Sequence, residues 1–267
     1  MRKYLIATLT FLLPLILQGQ TVSPKEELLV IDVQNILDAG DFSFDNPKGS
    51  VTVTGYSGEM ILVTGTPRHP TTDLSENDDM KRLDQYPFNM TAEIRGSQVL
   101  LLCDSRGRTV DFDIKIPEQF SLNIKSQDNG EIKIIQVNGD INAENPHGNI
   151  TLLGIAGSVS LSSVEGNIIA DFKKVDLSKP IMISTLDGDL ELRIPEKSKM
   201  SFKMKSSQKE IKSNLNIVRG NRTPLIRMKK DKKIYTMDDW TYGTLNGGGP
   251  ECTLSTYNGS ITIKKRQ

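Results

Sequence analysis

The sequence predicts an all-β solenoid of short, glycine-punctuated rungs, and three observations carry that prediction. Glycines fall at 130, 139, 148, 157 and 166, a strict nine-residue step. Each is followed by a polar or small residue and then a β-branched one: Glu131-Ile132, Asp140-Ile141, Asn149-Ile150, Ser158-Val159 and Asn167-Ile168. After each glycine, apolar and polar residues alternate, as in Asn149-Ile150-Thr151-Leu152, and alternation with period two is the pattern of a half-buried strand.

The same unit recurs at Gly49-Ser50-Val51, Gly58-Glu59-Met60, Gly188-Asp189-Leu190 and Gly259-Ser260-Ile261. A rung of this length cannot bury its own apolar face, so neighbours must stack on it, with isoleucine above isoleucine about 4.8 Å apart. Two units make an 18-residue coil, and three would make a longer one. The glycines are expected to supply the positive φ of a tight turn. A conventional antiparallel sandwich is the competing fold. Helical periodicity is absent except for a turn or two within Ser75 to Gln85. Glycine repeats of this period also occur in calcium-binding rolls, which need a repeated aspartate. Here that position holds Glu131, Asp140, Asn149, Ser158 and Asn167, so no metal is expected.

The N-terminus reads as a secretory signal. Arg2 and Lys3 precede a mostly apolar run from Leu5 to Leu17, and Gln18-Gly19-Gln20 offers a cleavage point near Gly19. The run is short for a membrane span, and no later one approaches the roughly 20 residues a span needs. Export places the product in the periplasm, on the outer surface or outside the cell, with no membrane span in the mature chain. That setting would permit a disulfide between the two cysteines, Cys103 and Cys252, although either also serves as a small buried hydrophobe. The chain then divides into a signal (1–19), N-terminal strands leading into the solenoid (20–66), a polar, proline-bearing excursion (67–95) and the solenoid proper (96–267).

Catalytic machinery is not recognisable. His69 lies in a proline-flanked loop and His147 at a turn, neither with a partner at metal or triad spacing. Asp111 and Asp113 share one strand face, the arrangement a glycosidase would use, yet Phe112, Ile114 and Ile116 on the other face mark an ordinary half-buried strand. No catalytic, cofactor-binding or metal-binding residue is therefore assigned. Lys+Arg and Asp+Glu are each 33, which gives no bulk preference for nucleic acid, and aromatic interleaving is sparse. The basic residues concentrate late, however. Lys203, Lys205, Arg227, Lys229, Lys230, Lys232 and Lys233 form a candidate anion-binding patch, or else a solvated edge that resists strand pairing.

Ile114-Lys115-Ile116-Pro117-Glu118 followed by Phe120-Ser121-Leu122 has a second copy at Leu192-Arg193-Ile194-Pro195-Glu196 before Met200-Ser201-Phe202. With Leu245-Asn246-Gly247-Gly248-Gly249 and the closing Leu254 to Ile261, these phrases resemble the bacterial "putative adhesin" domain of β-helical fold, over roughly residues 100–267 and more weakly at 45–66. The resemblance implies a right-handed parallel β-helix on an envelope or secreted protein of unassigned function, and it brings no catalytic or ligand-binding residues. The expected role is a non-enzymatic surface interaction or structural one, with an anionic glycan, an envelope polymer or another envelope protein as partner. An accessory of envelope-stress signalling that binds a membrane partner is the alternative, and a glycan-cleaving β-helix enzyme is a third.

Overall fold

The computed structural model describes residues 26–36, 40–68, 88–128, 130–175, 179–221, 224–229 and 232–267. The expected signal, His69 and the helical turn at Ser75 to Gln85 lie outside them. Among the described residues every regular element is a strand. The first are β1 (Glu27–Asp32), β2 (Asp41–Asn46), β3 (Val51–Tyr56) and β4 (Met60–Pro67), then β5 (Asn89–Arg95), β6 (Gln98–Asp104) and β7 (Val110–Pro117). The central repeats form β8 (Ser121–Ser126), β9 (Ile132–Ile135), β10 (Ile141–Asn145), β11 (Ile150–Ile155), β12 (Val159–Ser163) and β13 (Ile168–Phe172). After them come β14 (Ile181–Ser184), β15 (Leu190–Ile194), β16 (Met200–Ser206), β17 (Ile211–Ser213) and β18 (Val218–Arg219). The last are β19 (Pro224–Lys229), β20 (Lys232–Met237), β21 (Thr241–Leu245), β22 (Glu251–Thr256) and β23 (Ile261–Lys265).

Two sheets face one another. Sheet A runs β1-β4-β7-β3-β9-β11-β13-β15-β23-β17 and sheet B runs β18-β21-β16-β22-β14-β12-β10-β8-β2-β6-β5, while β19 and β20 form a separate hairpin. Each coil gives one strand to each sheet, and coil stacks on coil in parallel register. Ile132 pairs with Ile150 and Ile150 with Ile168, so the central coil is the 18-residue one, and the next step, Ile168 to Leu190, is four residues longer. These ladder side chains are essentially inaccessible. Among the described residues of the two sheets, pairing turns antiparallel only at the ends: β1 on β4, β4 on β7 and β5 on β6 at one, β21 on β16 and β18 on β21 at the other. Asp41–Tyr56 thus lies inside the stack, between the coils of β6–β7 and β8–β9.

Coil order departs from chain order at the far end too. The final coil, β22–β23, sits between β14–β15 and the earlier β16–β17. Cys252 on β22 and Cys103 on β6 therefore stand six strands apart in sheet B, roughly 29 Å at the usual strand spacing. That is far beyond disulfide reach, and both thiols are free.

The repeat glycines act differently from expectation. Of those in the nine-residue units, Gly130, Gly139, Gly148, Gly157 and Gly166 all have ordinary φ, and Gly49 is one that does turn left-handed, at 115°. Their requirement is space. A Cβ built on Gly148 would fall well inside contact distance of the Gly130 carbonyl oxygen, and one on Gly166 would strike Gly148 in the same way. Turns stack backbone on backbone, and only glycine permits that approach.

Sheet B carries a further regularity. Its strands point two apolar residues inward and then a polar one: Phe42, Phe44, Asn46; Leu122, Ile124, Ser126; Ile141, Ala143, Asn145; Val159, Leu161, Ser163. The polar atom bonds the glycine carbonyl of the adjacent coil. Ser126 Oγ donates to Gly49 O (2.9 Å), Asn145 Nδ2 to Gly130 O (3.0 Å), Thr185 Oγ1 to Gly166 O (3.1 Å) and Thr256 Oγ1 to Gly188 O (2.9 Å). Buried turn carbonyls that would otherwise be orphaned, at about 1–3 kcal/mol each, are thereby satisfied. An outer ladder runs beside it: Asn149 Oδ1 accepts from Asn167 N, Asn167 Oδ1 from Asp189 N, and Asp189 Oδ1 from Ser260 N. The residues at the would-be calcium positions are occupied in holding turn to turn.

Candidate binding site at the C-terminal end of the stack

The paired carboxylates stand on β7, between β3 and β4 in sheet A. Asp111 and Asp113 do share the outer face of β7. Asp111, however, accepts the Ser50 backbone N–H (2.7 Å) and a forked contact from Arg68, Nε to Oδ2 at 2.9 Å. The carboxylate in turn raises the Arg68 pKa. His147 is exposed, its Nδ1 3.8 Å from Glu165 Oε2. Burial pushes the Cys103 thiol up to about 11, and the fully buried Cys252 is raised as well, so neither offers a thiolate at neutral pH.

The basic residues divide into two groups. Lys203 and Lys205 alternate on the outer face of β16, beside β21. Trp240, the single tryptophan of the sequence, lies across them, with Lys203 Nζ 4.8 Å and Lys205 Nζ 6.0 Å from the ring centroid. Such cation–π contacts hold an ammonium while leaving its charge intact. Lys205 also pairs with Asp239 at 2.5 Å. Lys232 and Lys233 are exposed on β20 of the hairpin, whose other strand contains Arg227 and Lys229. Lys230 lies outside the described residues.

The sequence reading missed a third group at the same end. Sheet A finishes on the three-residue β17, whereas sheet B continues past it through β21 to β18. The mismatch leaves a mouth of about 460 Å³ between the last strands of the two sheets. Met204, Ile211, Ile217 and Ile263 form its floor, and Lys209, Lys212, Arg219 and Asp239 stand around it. Tyr242, also lining the mouth, donates to Asp238 Oδ2 at 2.7 Å, a hydrogen bond to a carboxylate that raises its pKa. The advance signals were the late concentration of basic residues, which takes in Lys209, Lys212 and Arg219, and the softening of the inward pattern from isoleucine to Met200, Phe202 and Met204 in the end coil.

The family described as Toastrack DUF4097 matches residues 30–264, which spans both sheets and both ends. The chain belongs to the Toastrack DUF4097 family. The match begins well before residue 100, in keeping with the place of Asp41–Tyr56 inside the stack. Among solved structures, this Toastrack chain is similar to a "putative cell adhesion protein" from Clostridium sporogenes ATCC 15579. Identity is 13% and the TM-score 0.41, over 91% of this chain and 100% of the other. It is also similar to a "putative adhesin" from Bacteroides fragilis NCTC 9343, at 12% identity and a TM-score of 0.38, over 92% and 100% of the two chains. No curated protein matches it.

Proposed function

We propose that this Toastrack chain is a non-catalytic module of the cell envelope or the secreted space that works by surface contact, its basic C-terminal end docking an anionic glycan or envelope polymer. The observation that supports this reading is the gathering of cations on one end of the stack. Lys203 and Lys205 stand on β16, and Lys209, Lys212 and Arg219 surround the mouth. Polar side chains of the turns, by contrast, are spent on holding coil to coil, as with Asn145 and Asp189. Export rests on the N-terminal pattern from Arg2 to Gln20. A right-handed winding of the coil follows from the strong preference of parallel crossovers for that hand.

Charge-driven docking weakens with salt, because the Debye length falls from about 10 Å at 0.1 M to about 3 Å at 1 M. The test is elution from heparin or lipopolysaccharide resin across a salt gradient. The wild type is expected to elute at clearly higher salt than a variant with Lys203, Lys205, Lys232 and Lys233 changed to Glu. Equal elution rejects the reading.

A further inference from the structure

We propose that the mouth at the C-terminal end holds the tail of a single-chain amphiphile whose anionic head is taken by Arg219, Lys209 and Lys212. This goes beyond polymer docking, because it concerns a different ligand in a cavity rather than charge on a face.

The floor decides against a hydroxyl-rich ligand. Met204, Ile211, Ile217 and Ile263 present only hydrocarbon and thioether. Of the hydroxyls beside them, Thr241 lies at the mouth, Tyr242 is given to Asp238, and the two serines are already engaged. Ser206 Oγ donates to Gly259 O at 2.7 Å, and Ser213 Oγ accepts the Leu215 N–H at 3.0 Å. A sugar would find little to read there, whereas an acyl chain would be desolvated.

The rim decides the sign of the head. Lys209 makes an exposed contact to Asp189 at 3.7 Å, and Lys212 one to Glu210 at 2.6 Å. Exposed pairs of this kind contribute little and exchange partners readily. Arg219 is exposed and lines the same mouth. Asp239, a carboxylate that lines the mouth, is engaged by Lys205. Three cations therefore face an apolar floor across about 460 Å³, within the usual range for small-molecule sites.

The test is calorimetric titration of the full mature chain with four dodecyl compounds below their micellar concentrations: dodecyl phosphate, dodecanoate, dodecyl maltoside and dodecyltrimethylammonium. Both anions are expected to bind at least tenfold more tightly than the neutral and cationic compounds. Tighter phosphate would mark a phospholipid-type head and tighter carboxylate a fatty-acid-type head, and each supports the site. Each methylene removed should weaken binding by about fourfold. Arg219→Gln, at an exposed position, should cost anion binding about tenfold and leave dodecyl maltoside unchanged. Ile217→Asp should weaken all four, with thermal unfolding showing that the fold survives. Heparin retention that persists in Ile217→Asp separates this site from polymer docking. Equal binding of all heads, no binding, or anion affinity indifferent to Arg219→Gln would overturn the proposal.

Discussion

The two ends of the stack are finished by different means. At the N-terminal end β7 is covered by β4 and then β1, while β6 is covered by β5, strands of six to eight residues. The interior there is closed by aromatic rings. Phe112 meets Phe44 edge-on with centroids 4.7 Å apart and Phe88 at 6.2 Å, and the missing side chain of Gly65 makes room for Phe88. At the C-terminal end the covering strands are the five-residue β21 and two-residue β18, on sheet B alone. The interior there is Met200, Phe202 and Met204, with Leu215 and Ile217 packed near the opening. A solenoid must stop somewhere, and an end closed by rings is a structural cap. An end where one sheet outruns the other keeps an accessible cavity.

The sharpest break of this comparison is Phe112→Ala. The ring is enclosed by two others, so little can collapse into its place, and a loss of about 3–5 kcal/mol is expected in denaturant unfolding. Met204→Ala removes a buried side chain beside a solvent-accessible mouth, where water already reaches. About 2 kcal/mol is expected, near the low end for such truncations. Equal losses would mean the C-terminal end is as tightly closed as the other. Between the ends, Gly148→Ala places a methyl against the Gly130 carbonyl and should cost about 1–3 kcal/mol by overpacking.

Much of the stack was legible in the sequence. The nine-residue step placed the strands, and the position of Ile132, Ile150 and Ile168 in each unit placed the ladder. Other features were hidden for physical reasons. Coil order was invisible because every rung presents the same apolar face, so nothing in the repeat shows that β22–β23 slips in beside β14–β15. The role of the glycines was misread because a left-handed turn and a close backbone approach demand the same residue. The buried Asn145, Ser163 and Thr185 break the apolar alternation, because they occupy a third inward position and bond the turn of the preceding coil. Lys203 and Lys205 were legible as an alternating pair, but the Trp240 ring across them was not. The mouth depends on where two sheets end relative to one another, which no local pattern encodes.

The mildest test of the difference between the ends is acid. Four carboxylates with lowered pKa values, Asp189, Glu191, Glu196 and Glu210, belong to the C-terminal part of the stack. Hydrogen bonds from the Ser260 backbone and hydroxyl hold Asp189 down. Burial pushes Glu191 up, but Lys264 and Arg193 outweigh it. Lys265 lowers Glu196, and Lys212 lowers Glu210. A carboxyl depressed in the folded state contributes stability above its unfolded pKa, near 4, and loses that contribution as pH falls through the folded value. Asp189 and Glu191 both tie β15 to the neighbouring β23, through Ser260 and Lys264. Protonating them loosens the side-chain contacts that reinforce the β15–β23 ladder, by which the inserted last coil joins the stack on that side of sheet A. Amide-exchange protection of β23 and β17 should therefore fall between pH 5 and pH 3 more than that of β4 and β7. Asp189→Asn should flatten part of this decline, since an amide keeps an acceptor for Ser260 but cannot titrate. A uniform fall along the whole stack would show that the two ends answer acid as one unit, and that the difference between them lies in packing alone.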